Sequence, residues 1–159
     1  MSLHSVPRSI QTSTKRVLSG GDITVVTPTT FQPVPGTRFK VFVQKNSLVE
    51  LMAEFTAGGT AAGNQGFDFR ITSPAGVVTR LGQGLGLKAH VIVAGTVGAR
   101  LPMSLNAVLS DLPEGEHTIE FVVIDSAGNA VILADAATSP LEITVRQSVL
   151  IYPVPGIDT

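Results

Sequence analysis

Cysteine is absent from the 159 residues, so disulfides, thiolate metal sites and cysteine nucleophiles are all excluded. Tryptophan is absent as well and tyrosine occurs once, so a platform on which sugar rings stack would depend on phenylalanines, which weakens a lectin reading. Charge is scarce. Only 14% of residues are Asp, Glu, Lys or Arg, against about a quarter in ordinary soluble domains. So bland a surface predicts burial against partners. No run of 18 apolar residues occurs, so no helical membrane span is expected. The opening residues lack the apolar stretch of a secretory signal, with Pro7 and Arg8 interrupting it, and synthesis in the cytosol is expected.

What remains is a chain with 43% apolar residues. At this length a single domain buries roughly 70% of the surface its unfolded chain exposes, enough for a core without staples. The formal net charge of -1 hides an asymmetry. Residues 1–45 carry Arg8, Lys15, Arg16, Arg38, Lys40 and Lys45 against Asp22 alone, a net +5. The rest is net -6, and no lysine or arginine stands between Leu101 and Val145. A basic leading segment on an acidic body predicts different neighbours for the two. The basic residues are too few and too free of aromatics to form a nucleic-acid patch.

The first 30 residues are rich in Ser, Thr and Gly and show little periodicity, with one short strand expected at Ile23 to Val26. Alone they cannot bury enough apolar surface to offset the entropy of ordering, so a partner chain or their own body must hold them. Phe31-Gln32-Pro33-Val34-Pro35-Gly36 forms an extended elbow, echoed by Tyr152-Pro153-Val154-Pro155-Gly156 near the other end. The organisation expected is an extended arm and elbow over 1–36, a body over 37–147 and an extended tail over 148–159.

Between the elbows, apolar and polar residues alternate repeatedly. Phe39/Val41/Val43, Val49/Leu51/Ala53/Phe55, Phe67/Phe69/Ile71, Met103/Leu105/Ala107/Leu109, Ile119/Phe121/Val123 and Leu141/Ile143/Val145 each mark a strand with one dry and one wet face. Gly- and Pro-containing turns separate them. Some eight short strands in this span predict an all-β antiparallel sandwich or jelly roll. Three segments break the alternation by being apolar on both faces: Ala89 to Ala94, Phe121 to Ile124 and Ala130 to Ala134. Cover by a second copy explains them, cover by the arm or a loop being the alternative. The expected oligomer interface is His90, Val91, Ile92, Val93, Val122, Ile124, Val131, Ile132 and Leu133.

No motif points to catalysis. His4, His90 and His117 do not fall at metal-ligand spacing. His117, among Glu114, Glu116 and Glu120, reads as a surface histidine, and His90 as a core or interface one. Gly82 to Gly86 lacks both the Lys-Ser/Thr of a phosphate loop and the third glycine of a dinucleotide fingerprint. Asp125-Ser126-Ala127-Gly128-Asn129 resembles a fragment of a calcium loop without its later acidic ligands, and reads as a hairpin turn. No Gly-x-Ser-x-Gly elbow occurs. Neither enzyme activity, cofactor, metal nor membrane contact is expected.

Lys45 to Arg146 resembles the small jelly-roll domain, like a tumour-necrosis-factor fold, of tailed-phage virion accessory proteins. The likeness rests on Leu48 to Phe55, the Gly/Ala-rich stretch Ala57 to Gly66, Phe67-Asp68-Phe69-Arg70-Ile71, Leu112-Pro113-Glu114-Gly115-Glu116-His117-Thr118-Ile119 and Leu141 to Val145. It covers about two thirds of the chain and leaves the arm outside. The resemblance implies a homotrimer on a bacteriophage particle, as a capsid decoration or cement protein. A head- or tail-fibre or collar component with a receptor- or glycan-binding sandwich is the alternative. Assembly in the host cytoplasm into the virion follows, with the major capsid protein or other virion proteins as partners. The arm residues expected to reach them are Arg8, Lys15 and Arg16.

Overall fold

The computed structural model describes residues 8–18, 22–26, 29–61, 63–82, 88–92, 101–133 and 140–151. The alternating segments become β4 (Phe39–Val43), β5 (Ser47–Gly59), β6 (Gly63–Thr72), β9 (Leu101–Leu109), β10 (Gly115–Asp125) and β12 (Leu141–Ile151). Shorter strands are β2 (Ile23–Val25), β3 (Gln32–Pro33), β7 (Val78–Arg80), β8 (Lys88–Ile92) and β11 (Val131–Leu133), and β1 spans Arg8–Leu18. Every pairing among the described residues is antiparallel.

Two sheets result. The long strand β5 is the spine of the first: β12 and then β11 line one edge of it and β9 the other, with β1 outside β12 and β2 outside β11. In the second, β10 and β6 pair at the centre, with β4 and β3 on the outer edge of β10 and β7 and β8 on that of β6. From β4 to β6, and again from β9 to β11, successive strands cross from one sheet to the other, as expected of a jelly-roll sandwich. Period-two alternation is the sequence record of this arrangement, since only one face of each strand meets the opposite sheet.

The core lies between the sheets. Phe55 comes from the first sheet and Phe67, Phe69 and Phe121 from the second; Phe121 lies within 5.0 Å of Phe55, 6.3 Å of Phe67 and 5.7 Å of Phe69 between ring centroids. Leu51, Ile119, Leu133, Leu141 and Ile143 close around them.

The leading segment departs from the expected arm. Three of its stretches are strands paired to the body: β1 on β12, β2 on β11 and β3 on β10. Val25 of β2 belongs to the core. At the other end, β12 runs through the expected boundary at 147/148 to Ile151. Of the two holders considered for the leading segment, the body of its own protomer is the one seen. Main-chain pairing makes this possible for a sequence with little apolar surface, because the ladder of β1 is built from backbone groups.

Candidate functional site

Strand β1 pairs with β12 over eleven consecutive residues, from Arg8 opposite Ile151 to Leu18 opposite Leu141. The register sets Lys15 opposite Thr144 and Arg16 opposite Ile143. The three basic residues singled out in the sequence therefore share one strand, the outermost of its sheet among the described residues. Thr12, midway along it, is exposed.

The interface candidates that fall within the described residues are spread over β8, β10 and β11, in both sheets. Val131 and Leu133 are fully buried within the chain's own core, alternating with half-buried Ile132. Val122 is fully buried as well, although it lies on the outer face of β10. Its cross-strand neighbour Asp68 is bound to Arg80 of β7, on which the Phe31 ring stacks, so the strap Phe31–Thr37, paired to the edge of β10, reaches across this face. Burial of these three needs no second copy, because the chain itself supplies the cover. Ile124 is half-buried. On β8, His90, Val91 and Ile92 pair with Gln65, Asn64 and Gly63 of β6, whereas Val93 lies outside the described residues.

Under the same strap lies an ionic layer that alternation alone misses. Asp68, flanked by core phenylalanines, is 0% exposed and points away from the core. Its carboxylate accepts from Arg80 Nη1 at 2.9 Å and from the amides of Gly82 at 2.9 Å and Phe69 at 2.8 Å. The Arg80 guanidinium also lies 3.9 Å from the centroid of the Phe31 ring. One arginine thus links β7, β6 and the strap. Beside it Glu120 accepts from Arg70 Nε at 2.9 Å, and Arg38 stands 3.9 Å away. The Pro-rich elbow next to an isolated Phe31 was the available signal.

Two more polar groups enter the interior. His117 is buried, correcting its reading as a surface histidine: on β10 it shares the parity of Ile119 and Phe121 and so faces inward. Its Nδ1 lies 3.1 Å from the Gly115 carbonyl, and Nε2 has no hydrogen-bond partner among the described residues. Asp125 is buried at the turn from β10 to β11, which crosses between the sheets and so is not the hairpin expected, and Oδ1 accepts there from the amides of Ala127 at 2.9 Å and Asn129 at 3.2 Å. This is a side-chain-capped turn with Gly128 at φ 72°. Among the described residues no three His, Asp or Glu side chains gather as a metal centre.

The turn depends on a bare backbone across from it. A Cβ on Gly63 would stand 2.8 Å from Asp125 Oδ1 and 2.9 Å from Oδ2. Gly63→Ala is therefore expected to cost about 1–3 kcal/mol by overpacking, read as a lower urea midpoint at unchanged m-value. An unshifted midpoint would mean the turn yields freely.

No family model matches the chain, and no curated protein matches it. Among solved structures, the chain is similar to one titled "Crystal structure of infectious bursal disease virus VP2 subviral particle", with 11% identity and a TM-score of 0.42, over 91% of this chain and 42% of that one. A second, "Structure of infectious bursal disease virus Gt strain", has 14% identity and a TM-score of 0.34, over 94% and 43%. The chain spans less than half the length of these chains. Likeness of this order decides nothing about activity or partners. The expected bacteriophage origin is nevertheless withdrawn, because these matches come from a birnavirus, not a phage.

Proposed function

We propose that this is a structural virion protein, not a catalyst, whose jelly roll assembles as a homotrimer and binds a viral shell through the basic strand β1. One observation carries the reading: Arg8, Lys15 and Arg16 lie along a single outermost strand of a body whose remaining charge is negative. A basic rim meets an acidic partner surface with favourable long-range steering while the acidic body is kept off it. The shell's major capsid protein is the partner. Bound to the closed shell and not to its dissociated subunits, the trimer stabilises the particle by mass action.

The test reverses these charges in the full-length chain, Arg8→Glu, Lys15→Glu and Arg16→Glu together. Co-sedimentation with shells falls by roughly tenfold or more at low salt, while native mass stays at three chains and the thermal midpoint is unchanged. Binding at the level of the unaltered protein overturns the role of β1, and a native mass of one chain overturns the trimer.

A further inference from the structure

The edge of a sheet offers its backbone groups to any other chain unless something guards it, usually a cation or a very short strand. Among the described residues most edges are guarded. Strand β1 carries Arg8, Lys15 and Arg16, β4 carries Lys40, β7 carries Arg80 and β8 carries Lys88. Strands β2 and β3 are three and two residues long. Strand β9 differs from all of these. It is nine residues long, has no charged residue, and pairs with β5 alone among the described residues. Its single guard is Pro102, at the second position. A proline is tolerated in a ladder where its missing N–H would point away from the neighbouring strand. Pro102, opposite Thr56, therefore turns its nitrogen to the free edge, and the amides of Ser104, Asn106 and Val108 point the same way.

The residues of the strand indicate what adds to this edge. Read from either end, Leu101-Pro102-Met103-Ser104-Leu105-Asn106-Ala107-Val108-Leu109 is apolar and polar at the same steps. Turned about Leu105 and laid antiparallel on itself, it sets Ser104 against Asn106, Met103 against Ala107, Pro102 against Val108 and Leu101 against Leu109. Every apolar residue then meets an apolar one, and each polar residue a polar one. The arrangement also covers Val108 and Leu101, which are 66% and 44% exposed. A two-fold contact requires a patch complementary to itself, and this strand has that property.

Charge selects the same occupant. Beyond residue 45 the chain is net -6, so two copies repel each other over most of the body. Along β9 they meet with no charged residue of the strand opposed to its like. We infer that β9 pairs antiparallel with β9 of a second copy, about a two-fold axis at Leu105, and joins two sheets into one. Each copy contributes its unguarded edge, so the addition stops at a pair, and the basic residues of β1 guard the outer edges of the joined sheet. The inference rests neither on the trimer nor on shell binding, since β9 lies across the sheet from β1.

The lack of cysteine makes the test direct. Ser104→Cys and Asn106→Cys, both at exposed positions, are made as separate full-length proteins, mixed in equal amounts and oxidised. The mixture gives a covalent dimer with one chain of each kind, because the two-fold pairing sets these positions about 5.5 Å apart between Cα atoms. Either protein alone gives about fivefold less, its two cysteines being a diagonal step apart, beyond the ~7 Å that a disulfide spans. Val108→Lys added to both chains lowers the mixed yield by about fivefold, by guarding the edge and removing the contact with Pro102. Four results overturn the inference: no mixed dimer, equal yields from either protein alone, no effect of the lysine, or stronger capture of a chain carrying Thr12→Cys on β1.

Discussion

An Arg80→Ala protein loses about 3–5 kcal/mol of folding stability, the range for a buried charge stripped of its partner. The cause is Asp68. That carboxylate is 0% exposed, and Arg80 is its cationic partner at 2.9 Å. Alanine leaves a charge sealed beneath the strap with two backbone amides for company, and takes away the cation over the Phe31 ring. Asp68→Asn is expected to cost less than half as much. Its side-chain oxygen still accepts from the backbone, and Arg80, whose side chain is 27% exposed, can turn to water. Urea denaturation of both variants checks the order. An Arg80→Ala loss below about 1 kcal/mol would place the pair with exposed surface bridges and remove its role in holding the strap.

The second large effect lies in the core. Phe121→Ala is expected to cost about 3–5 kcal/mol, the transfer free energy of the ring plus the cavity left behind. Phe121 touches rings from both sheets, so neither sheet can close the gap without opening contacts elsewhere. In a domain of this size the thermal midpoint falls by about ten degrees or more. A drop of a degree or two would show that the phenylalanine cluster repacks around the void. Phe121→Leu, keeping most of the volume, is expected to lose less than half as much.

Alternation made the sandwich legible because each core strand reports its own environment. Phe67, Phe69 and Ile71 face the opposite sheet, and the residues between them do not. The same logic misplaced Asp68, Val122 and His117. For Asp68 and Val122 the second face is crossed by Phe31, 37 and 91 positions away, and no local pattern reports so distant a cover. His117 holds an apolar position in the alternation while being polar, so its neighbouring acids suggested water instead. Strand β1 was illegible for another reason: its order comes from main-chain pairing with β12, and Arg8–Leu18 carries no apolar stripe to announce it. Of the proposed binding residues, the charge imbalance named Arg8, Lys15 and Arg16, but only the register with β12 aligned them on one edge.

That register also dictates when the fold can be completed. Arg8 pairs with Ile151 and Leu18 with Leu141, so β1 must wait until β12 has left the ribosome. No partial chain can close this ladder, and contacts of such long sequence separation are slow to form. Until then both β1 and β12 carry bare hydrogen-bonding edges. On a polysome, where nascent copies crowd together, those edges are the point at which one chain can capture another in place of itself.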